Sequence, residues 1–508
     1  MSNVAALQQE NDQLKDQVNH LQSYVEQLEQ ALIQSRQQRF SPSSEQSQGE
    51  QLLIFNEAEA SQEEADAVPA NSESPGIVTV AGYSRQKKGR KPLPAELPRV
   101  NVVHDLADSE KVCTVHGVAL VPAGEKTSEQ LDIIPATVQV LHHIRKQYTC
   151  PCCDNGMVTA VKPKDPIPKS QASPGTLATI AVHKYADGLP LYRQTAMLNR
   201  LDIALDRGTM AQWMIKSGEL MQPLINLLRD RLLTEPILHL DETPVQVLRE
   251  SGKPATSQSY MWVQATTADA KHPVVLFDYD PSRSGLVPKR LLSDYQGTIM
   301  VDGYEGYDAV CREQSLLRLG CWAHARRKFV EAGKVAGKKG KSAKSDYALK
   351  LIGKLYRIEK EIRDLTPDQR QQIRQQQSRP VIDKLNDWLS QTRPTVPPKL
   401  ALGKALTYLH NQWPRLIGYL QDGHYPIDNN RVENAIRPFV IGRKGWLFSA
   451  STEGVKASAN LYSIIETVKA NNQNPYTYLK QVFTDLPNAE TVEQIEALLP
   501  WNISSENQ

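Results

Sequence analysis

Apolar side chains recur every seven residues at the start of the chain. Val4, Asn11, Val18, Val25 and Leu32 share one seam, and Leu7, Leu14, Leu21 and Leu28 share the other. These are the a and d positions of a leucine zipper. Val at a with Leu at d favours two parallel strands, a lone Asn11 at a fixes register, and Glu10 at g can meet Lys15 at e of the partner. The pattern predicts a coiled coil over residues 1–38 that makes a homodimer or a higher oligomer. A solitary amphipathic helix packed on its own domain is the alternative reading. The repeat then vanishes: from Ser41 to Tyr83 there are eight acidic residues, no Lys or Arg, and few side chains able to build a core. Residues 39–84 therefore read as an acidic disordered linker.

Helical periodicity returns over 170–235. Within it, "LPLYRQTAMLNRLDIALDRGTMAQWM" reads as a helix, a short turn and a second helix opening near Thr209. This fits a helix-turn-helix whose Arg207, Gln212 and Lys216 would face DNA. It fits plain helical packing equally well, because Asp202 stands where a glycine usually eases the turn. From Pro236 the texture changes to short β-prone runs, "ILHLDETPVQVL", "SYMWVQATT", "HPVVLFDYD" and "GTIMVDGY". Several such strands followed by helices predict a multidomain α/β chain with a central sheet. The first part of this layer spans 236–333. A basic Gly-Lys stretch with Lys334, Lys338, Lys339, Lys341 and Lys344 then opens a helical insertion over 334–425, where Ala348, Leu351, Leu355, Ile358 and Ile362 line one face. The layer resumes over 426–485, and 486–508 read as a C-terminal helix and tail.

Composition narrows the class. At roughly 150 residues per domain, 508 residues allow three or four domains, and 40% hydrophobic with 23% charged is ordinary soluble composition. The longest uncharged apolar stretches run five to seven residues, far below the ~18 a membrane span needs, and the start lacks a basic and apolar leader. A cytoplasmic, membrane-free protein is expected. Net charge is only +2, from 59 Lys+Arg against 57 Asp+Glu, but the charge is segregated. Residues 85–100 form a basic arm in which Arg85, Lys87, Lys88, Arg90 and Lys91 sit beside prolines that keep the chain extended. Such an arm can follow phosphates or enter a narrow minor groove, or serve as a solvated tether.

Six cysteines in a chain this long are not a disulfide scaffold, and three of them fall within four residues. Cys113-x2-His116 is followed, after residues 117–149, by Cys150-x2-Cys153. Two short knuckles of thiolate and imidazole, joined by a long loop, suit one structural tetrahedral Zn²⁺. Residues 101–165 therefore read as a zinc-binding segment, with Cys152 as a spare thiol or alternate ligand; buried, unrelated cysteines are the alternative.

The candidate chemistry is carboxylate. Asp241 in "ILHLDET" and Asp302 in "TIMVDGY" each stand where an apolar run stops. In "DNNRVENAIRP", Asp428 or Asn429 can cap a short helix, Val432 and Ile436 face the core, Glu433 points elsewhere with Arg437 one turn on, and Pro438 ends the helix. Three oxygen ligands from two strand ends and a helix suit Mg²⁺ or Mn²⁺ with positions open for water and phosphate. Solvated caps and surface salt bridges are the alternative from pattern alone.

Five ordered blocks carry a resemblance: "HLDET" at His239, "VDGYEGY" at Val301, "CWAHARRKF" at Cys321, "DNNRVENAIRPFVIGRKGWLFS" at Asp428 and "YSIIETVKANNQNPYTYL" at Tyr462. Together they resemble the insertion sequence 66 family of bacterial transposases over most of residues 90–485. The resemblance implies a ribonuclease-H-like catalytic core with a helical insertion, preceded by a coiled coil and a zinc-binding segment. It also implies Asp241, Asp302 and Glu433 as the catalytic triad, with Glu466 the competing third acid. Two Mg²⁺ or Mn²⁺ ions per active site, roughly 3.5 to 4 Å apart, would serve cleavage of element ends and strand transfer into target DNA. The family has a cysteine where this chain has His116, which would make the zinc set three thiolates and one imidazole.

Beside the triad, His324, Arg326, Arg327, Arg437, Arg443 and Lys444 are candidate phosphate clamps, or else surface cations on helices. Trp446 reads as core more readily than as a base-stacking platform. Expected partners are terminal inverted repeats, target DNA and small accessory proteins of the same element, with action at the bacterial nucleoid. Two rivals remain: a non-catalytic DNA-binding dimeric regulator, and a nuclease of the same fold that never joins strands.

Overall fold

The computed structural model describes residues 138–149, 157–336 and 343–503, together with Asn11, Leu14, Lys15 and Gln17. Those four are helical and exposed. The rest of the zipper, the acidic linker, the basic arm from Arg85 to Lys91 and the ligand set Cys113, His116, Cys150 and Cys153 lie outside the described residues. The chain forms two compact units, one of residues 67–159 and one of residues 1–66 with 160–508. In the first, β1 (Gln147–Thr149) and β2 (Met157–Thr159) pair antiparallel, with Tyr148 opposite Val158. Their connecting segment carries Cys150 and Cys153.

The second unit begins with α1 (Pro174–Ala181), continued by a π turn over Val182–Ala186, then α2 (Leu191–Asn199), α3 (Arg207–Leu220) and α4 (Gln222–Leu233). The α2–α3 turn contains Asp202 at φ +57°, a left-handed conformation that Asp tolerates better than most residues. The second helix opens at Arg207, two residues before Thr209, because Asp206 and not Thr209 is the cap and its carboxylate accepts the Gly208 N–H at 2.6 Å. α3 lies very close to a later helix, α13. A Cβ at Gly218 would come within 2.5 Å of the Ala457 Cα.

The sheet contains β3 (Ile237–Arg249), β4 (Gln258–Thr266), β5 (Val275–Asp280), β6 (Thr298–Val301) and β7 (Leu317–Gly320), in the order β5-β4-β3-β6-β7, and a sixth short strand, Ser449–Ser451, pairs parallel with the far end of β3. β3, β4 and β5 are antiparallel neighbours, whereas β6 and β7 run parallel to β3. Two short helices, α5 (Leu286–Leu291) and α6 (Asp308–Glu313), precede β6 and β7. The near-continuous burial of Ile237 to Leu240, Met261 to Thr266 and Thr298 to Val301 is what a sheet covered on both faces requires.

Helices α7 (Trp322–Ala336), α8 (Ala343–Glu361), α9 (Pro367–Ile373), α10 (Arg379–Thr392) and α11 (Ala401–Leu416) follow. Ala348, Leu351, Leu355, Ile358 and Ile362 of the predicted stripe are all buried. Ala348, Leu351 and Leu355 join Trp322 and Phe329 of α7 in a core separate from that of the sheet. The first helix of that core is thus the one that leaves β7. Arg374 closes the subdomain, donating to Glu359 at 2.7 Å and to the carbonyls of Tyr419 and Asp422 at 2.9 and 2.7 Å.

The chain returns through α12 (Asn430–Trp446), β8 (Ser449–Ser451), α13 (Thr452–Ala470), α14 (Pro475–Asp485) and α15 (Val492–Glu496). Pro438 does not stop α12, contrary to the sequence expectation. The carbonyl that loses its partner belongs to exposed Asn434, and buried Ala435, Ile436, Phe439 and Val440 hold both sides of the proline on the core. Phe439 contacts Phe277, Trp446 and Tyr462 with ring centroids 5.3 to 6.3 Å apart. Such pairs add to burial worth about 2 kcal/mol per side chain. Trp446 therefore belongs to the core. α13 covers the edge strand β5: Ser463 Oγ and Thr467 Oγ1 accept the Phe277 and Val275 N–H groups at 2.7 and 3.0 Å. No helix among the described residues is long and apolar enough to cross a membrane.

Candidate active site

Strand register brings two of the predicted acids together. β3 and β6 pair Ile237 with Thr298, Leu238 with Ile299 and His239 with Met300. The offset is constant (298 − 237 = 61), so two residues further on Asp241 stands beside Asp302. Asp302 directly follows the end of β6, as expected. Asp241 does not end its strand: β3 continues to Arg249, and Asp241 is paired with Val263 of β4. The apolar run stops there because the β6 side of the strand opens into the site.

Glu433 arrives from the first turn of α12 and is only 3% exposed. Asn429 positions that helix. Its side-chain N–H donates to the Leu240 carbonyl at 2.8 Å, its Oδ1 pairs with His239 Nδ1 at 2.9 Å, and its backbone N–H donates to Cys321 Sγ at 3.2 Å. The Glu433 N–H in turn donates to the Asn429 carbonyl. The cap residue was legible in sequence, but its side chain is spent on β3, while Asp428 accepts the Asn430 N–H at 3.1 Å.

The acids interact. Burial pushes the Asp241 carboxyl well above the ordinary carboxylate range, and the charges of Glu242, Asp302 and Glu433 push it further. Glu242 is a fourth acid that the pattern did not single out, although it adjoins Asp241 in "HLDET". Burial, then the charge of Asp302, raises it to about 7, against the opposing pull of Arg283. Arg283 reaches Glu242 Oε1 at 2.7 Å, and the Tyr307 hydroxyl donates to Oε2 at 2.9 Å. Arg283, 43% exposed, also stacks 4.3 Å from the Tyr304 ring at the edge of the site.

The Asp302 segment is held from behind by Arg318 of β7. This buried guanidinium donates to the carbonyls of Asp302 and Tyr304 at 2.8 and 2.9 Å and pairs with Asp308. Arg415 of α11 reaches the same Asp308 oxygen at 2.6 Å. Neither arginine carries a sequence signal, because the carbonyls that Arg318 meets and the Asp308 carboxylate that both reach are brought to them only by the fold.

The candidate clamps divide. His324 Nδ1 faces Glu433 Oε1 at 3.3 Å, and buried Arg327 reaches Glu433 Oε2 at 3.2 Å. Arg443 bonds Thr243 Oγ1 at 3.2 Å and the Pro244 carbonyl, fastening α12 to β3. Arg326 is half-buried on α7 and Lys444 is exposed. Arg437 lines an open depression with Asp187, Asn434, Ile441 and Lys469. Arg207, Gln212 and Lys216 lie on exposed positions of α3, with Lys216 paired to Glu219 at 2.7 Å. Glu466 is buried on α13, its carboxyl raised chiefly by burial, and pairs with Lys469 at 2.8 Å. It is not among the charges acting on Asp241.

Comparison with known proteins follows this layout along the chain. Residues 169–457 match the profile described as "Transposase IS66 family", and 463–501 match the IS66 C-terminal element. Residues 110–154 match the zinc-finger binding domain of transposase IS66, and 27–102 match the profile described as "Transposase C of IS166 homeodomain". Among curated proteins, the uncharacterized proteins y4jD and y4qI of Sinorhizobium fredii are similar. The first is 33% identical over 86% of this chain and 86% of its own length. The second is 31% identical over 84% and 81%. No solved structure matches.

Proposed function

Because the chain belongs to the IS66 family of transposases and so is a DNA-processing enzyme, we propose that it cleaves the ends of an insertion sequence and joins them to target DNA at Asp241, Asp302 and Glu433. The observation that carries this reading is the convergence of the three carboxylates, seen in the β3–β6 register and in their combined effect on Asp241. A mixed sheet with acids on adjacent central strands and a third on a packed helix supports a ribonuclease-H-like core.

The donor set fits divalent ions. Clustered carboxylates repel one another, as the raised Asp241 carboxyl records, and a hard cation among them relieves that penalty. When bound, two Mg²⁺ or Mn²⁺ ions supply water activation and stabilisation of the leaving 3′ oxygen. Asp241 and Asp302 would hold one side and Glu433 the other. The protein contributes rigidity: β3 and β6 fix the aspartates, Arg318 holds the Asp302 segment, and Asn429 and Arg443 fix α12. Arg283, charged and partly exposed beside Asp302, is placed to meet a DNA phosphate. The freed 3′ hydroxyl can then attack a target phosphodiester, one such bond being exchanged for another. Zinc at Cys113, His116, Cys150 and Cys153 would be structural, consistent with the zinc-finger match. Dimerisation through the zipper, help from small accessory proteins and action on nucleoid DNA in the bacterial cytoplasm complete the reading.

The test supplies labelled terminal inverted-repeat DNA and Mg²⁺ to wild type and Asp241→Asn. Divalent-dependent nicking and joining by wild type, lost in the variant with DNA binding retained, supports the proposal. Binding with no cleavage by wild type would favour the regulator, and cleavage without joining the plain nuclease.

A further inference from the structure

Cys321, His324 and Glu433 meet at the junction of α7 and α12. One donor atom from each lies within 4.8 Å of the others. Cys321 immediately precedes α7 and His324 follows three residues later, a spacing that places both on one helical face. Glu433 enters from the facing helix. The cluster is buried: Cys321 is 1% and Glu433 3% exposed. Two of its atoms, His324 Nδ1 and Glu433 Oε1, face each other at 3.3 Å yet neither makes a hydrogen bond of acceptable geometry. A buried, unpartnered carboxylate oxygen is costly unless something satisfies it. Arg327 occupies the other oxygen, Oε2, leaving Oε1 directed at the His324 ring and the Cys321 thiol.

We propose that Cys321, His324 and Glu433 bind a divalent transition-metal ion of borderline softness, of the Zn²⁺ or Co²⁺ class, in a site distinct in chemistry from the all-oxygen position at Asp241 and Asp302. Sulfur, imidazole nitrogen and a monodentate carboxylate are a donor set that Mg²⁺ does not take and that tetrahedral zinc does, with a fourth position open. Donor atoms around such an ion stand about 3.3 to 3.8 Å apart, so small rotations of the three side chains close the set. The thiol proton leaves on coordination. Burial, with the charges of Glu433 and Asp428, holds the free thiol well above its ordinary range, and the backbone N–H groups of His324 and Asn429 offset this only in part. The neighbouring Arg327 opposes a cation and sets the affinity below that of an all-thiolate zinc site. That this ion would share the Glu433 carboxylate with the catalytic centre rests on the transposase reading; the three-donor set does not.

The experiment is a metal count on the full-length chain. Wild type, Cys321→Ser, His324→Asn and Asp241→Asn are equilibrated with Zn²⁺ and dialysed. Each is also titrated with Co²⁺ while the near-ultraviolet thiolate-to-cobalt band is followed. The zinc-finger segment contributes equally to all four, so differences decide. The expected result is that Cys321→Ser and His324→Asn each retain one equivalent fewer than wild type and show a weaker cobalt band, while Asp241→Asn retains the wild-type count. Thermal unfolding of metal-stripped samples supplies a second reading: added Zn²⁺ should raise wild type and Asp241→Asn more than the two ligand variants. Equal counts and equal cobalt bands in wild type, Cys321→Ser and His324→Asn would overturn the site. Nicking by Asp241→Asn separates the two readings. If nicking is lost and the counts are all equal, the triad stands and this site falls. If nicking persists and the counts differ, the site stands and its catalytic connection falls.

Discussion

His239 Nδ1 lies 2.9 Å from Asn429 Oδ1, a buried hydrogen bond that ties the central strand to the helix carrying Glu433. Because the same amide gives its N–H to the Leu240 carbonyl, Oδ1 is the acceptor and His239 carries its proton on Nδ1. Burial lowers the imidazole to about 4, so the ring is neutral at physiological pH and the bond carries no charge. Asn429→Ala would leave the His239 N–H and the Leu240 carbonyl unpaired inside the protein. The expected loss is ~2 to 4 kcal/mol in denaturant unfolding, with nicking reduced in step as α12 loosens. An unchanged midpoint would show that this bond does not hold the helix.

The Glu242 carboxyl predicts an inverted pH response. Its folded value of about 7 exceeds the ordinary 4.5, so between these two pH values the folded state binds more protons than the unfolded one. Stability therefore falls as pH rises from about 4.5 to 7, by up to ~3 kcal/mol, and Asp241 adds a contribution of the same sign. Glu242→Gln should flatten the slope, and Mg²⁺ should reduce it by neutralising the cluster. Chemical denaturation at pH 5 and pH 7.5, with and without Mg²⁺, measures both effects. A slope of the opposite sign in wild type would contradict the account of these acids.

Arg318 predicts coupling between fold and site. Arg318→Met removes the donors from two carbonyls next to Asp302 and leaves Asp308 to Arg415 alone. Breaking such a buried network is expected to cost ~3 kcal/mol. Because the Asp302 carboxylate itself is retained, raising the Mg²⁺ concentration should recover part of the cleavage rate. Full activity at ordinary Mg²⁺ would show that the Asp302 segment needs no support from β7.

Asn11 gives a prediction independent of the catalytic unit. Asn11→Val should strengthen self-association and broaden the range of species in analytical ultracentrifugation, since a buried polar a residue specifies register at some cost in stability. If removal of residues 1–38 leaves association unchanged, another surface makes the oligomer.

The sequence was informative where chemistry is local. The four β-prone runs lie on β3, β4, β5 and β6 because period and β-branching act along a strand. The stripe from Ala348 to Ile362 is buried because helical spacing alone decides it. β7 escaped notice, since "LRLG" is too short to carry a pattern and its Arg318 reads as a surface residue until two carbonyls are placed against it. Pro438 misled for a tertiary reason, the grip of Phe439 and Ile436 on the core. Glu242 and Asn429 were visible as residues but not as partners, because the groups they meet lie 41 and 190 positions away in the chain. The aspartates stood out only as acids after apolar runs; their proximity comes from strand register.

The central claim is that Asp241, Asp302 and Glu433 form one metal-dependent site for DNA strand chemistry. The most direct test is nicking of labelled terminal-repeat DNA with Mg²⁺ by four single variants, Asp241→Asn, Asp302→Asn, Glu433→Gln and Glu466→Gln, alongside their DNA affinity. The account predicts that the first three lose cleavage by ~10² or more while still binding, and that Glu466→Gln, which loses its pairing with Lys469 and the attraction of Arg431, cleaves at a near-normal rate. Cleavage that survives Glu433→Gln and is abolished by Glu466→Gln would contradict it.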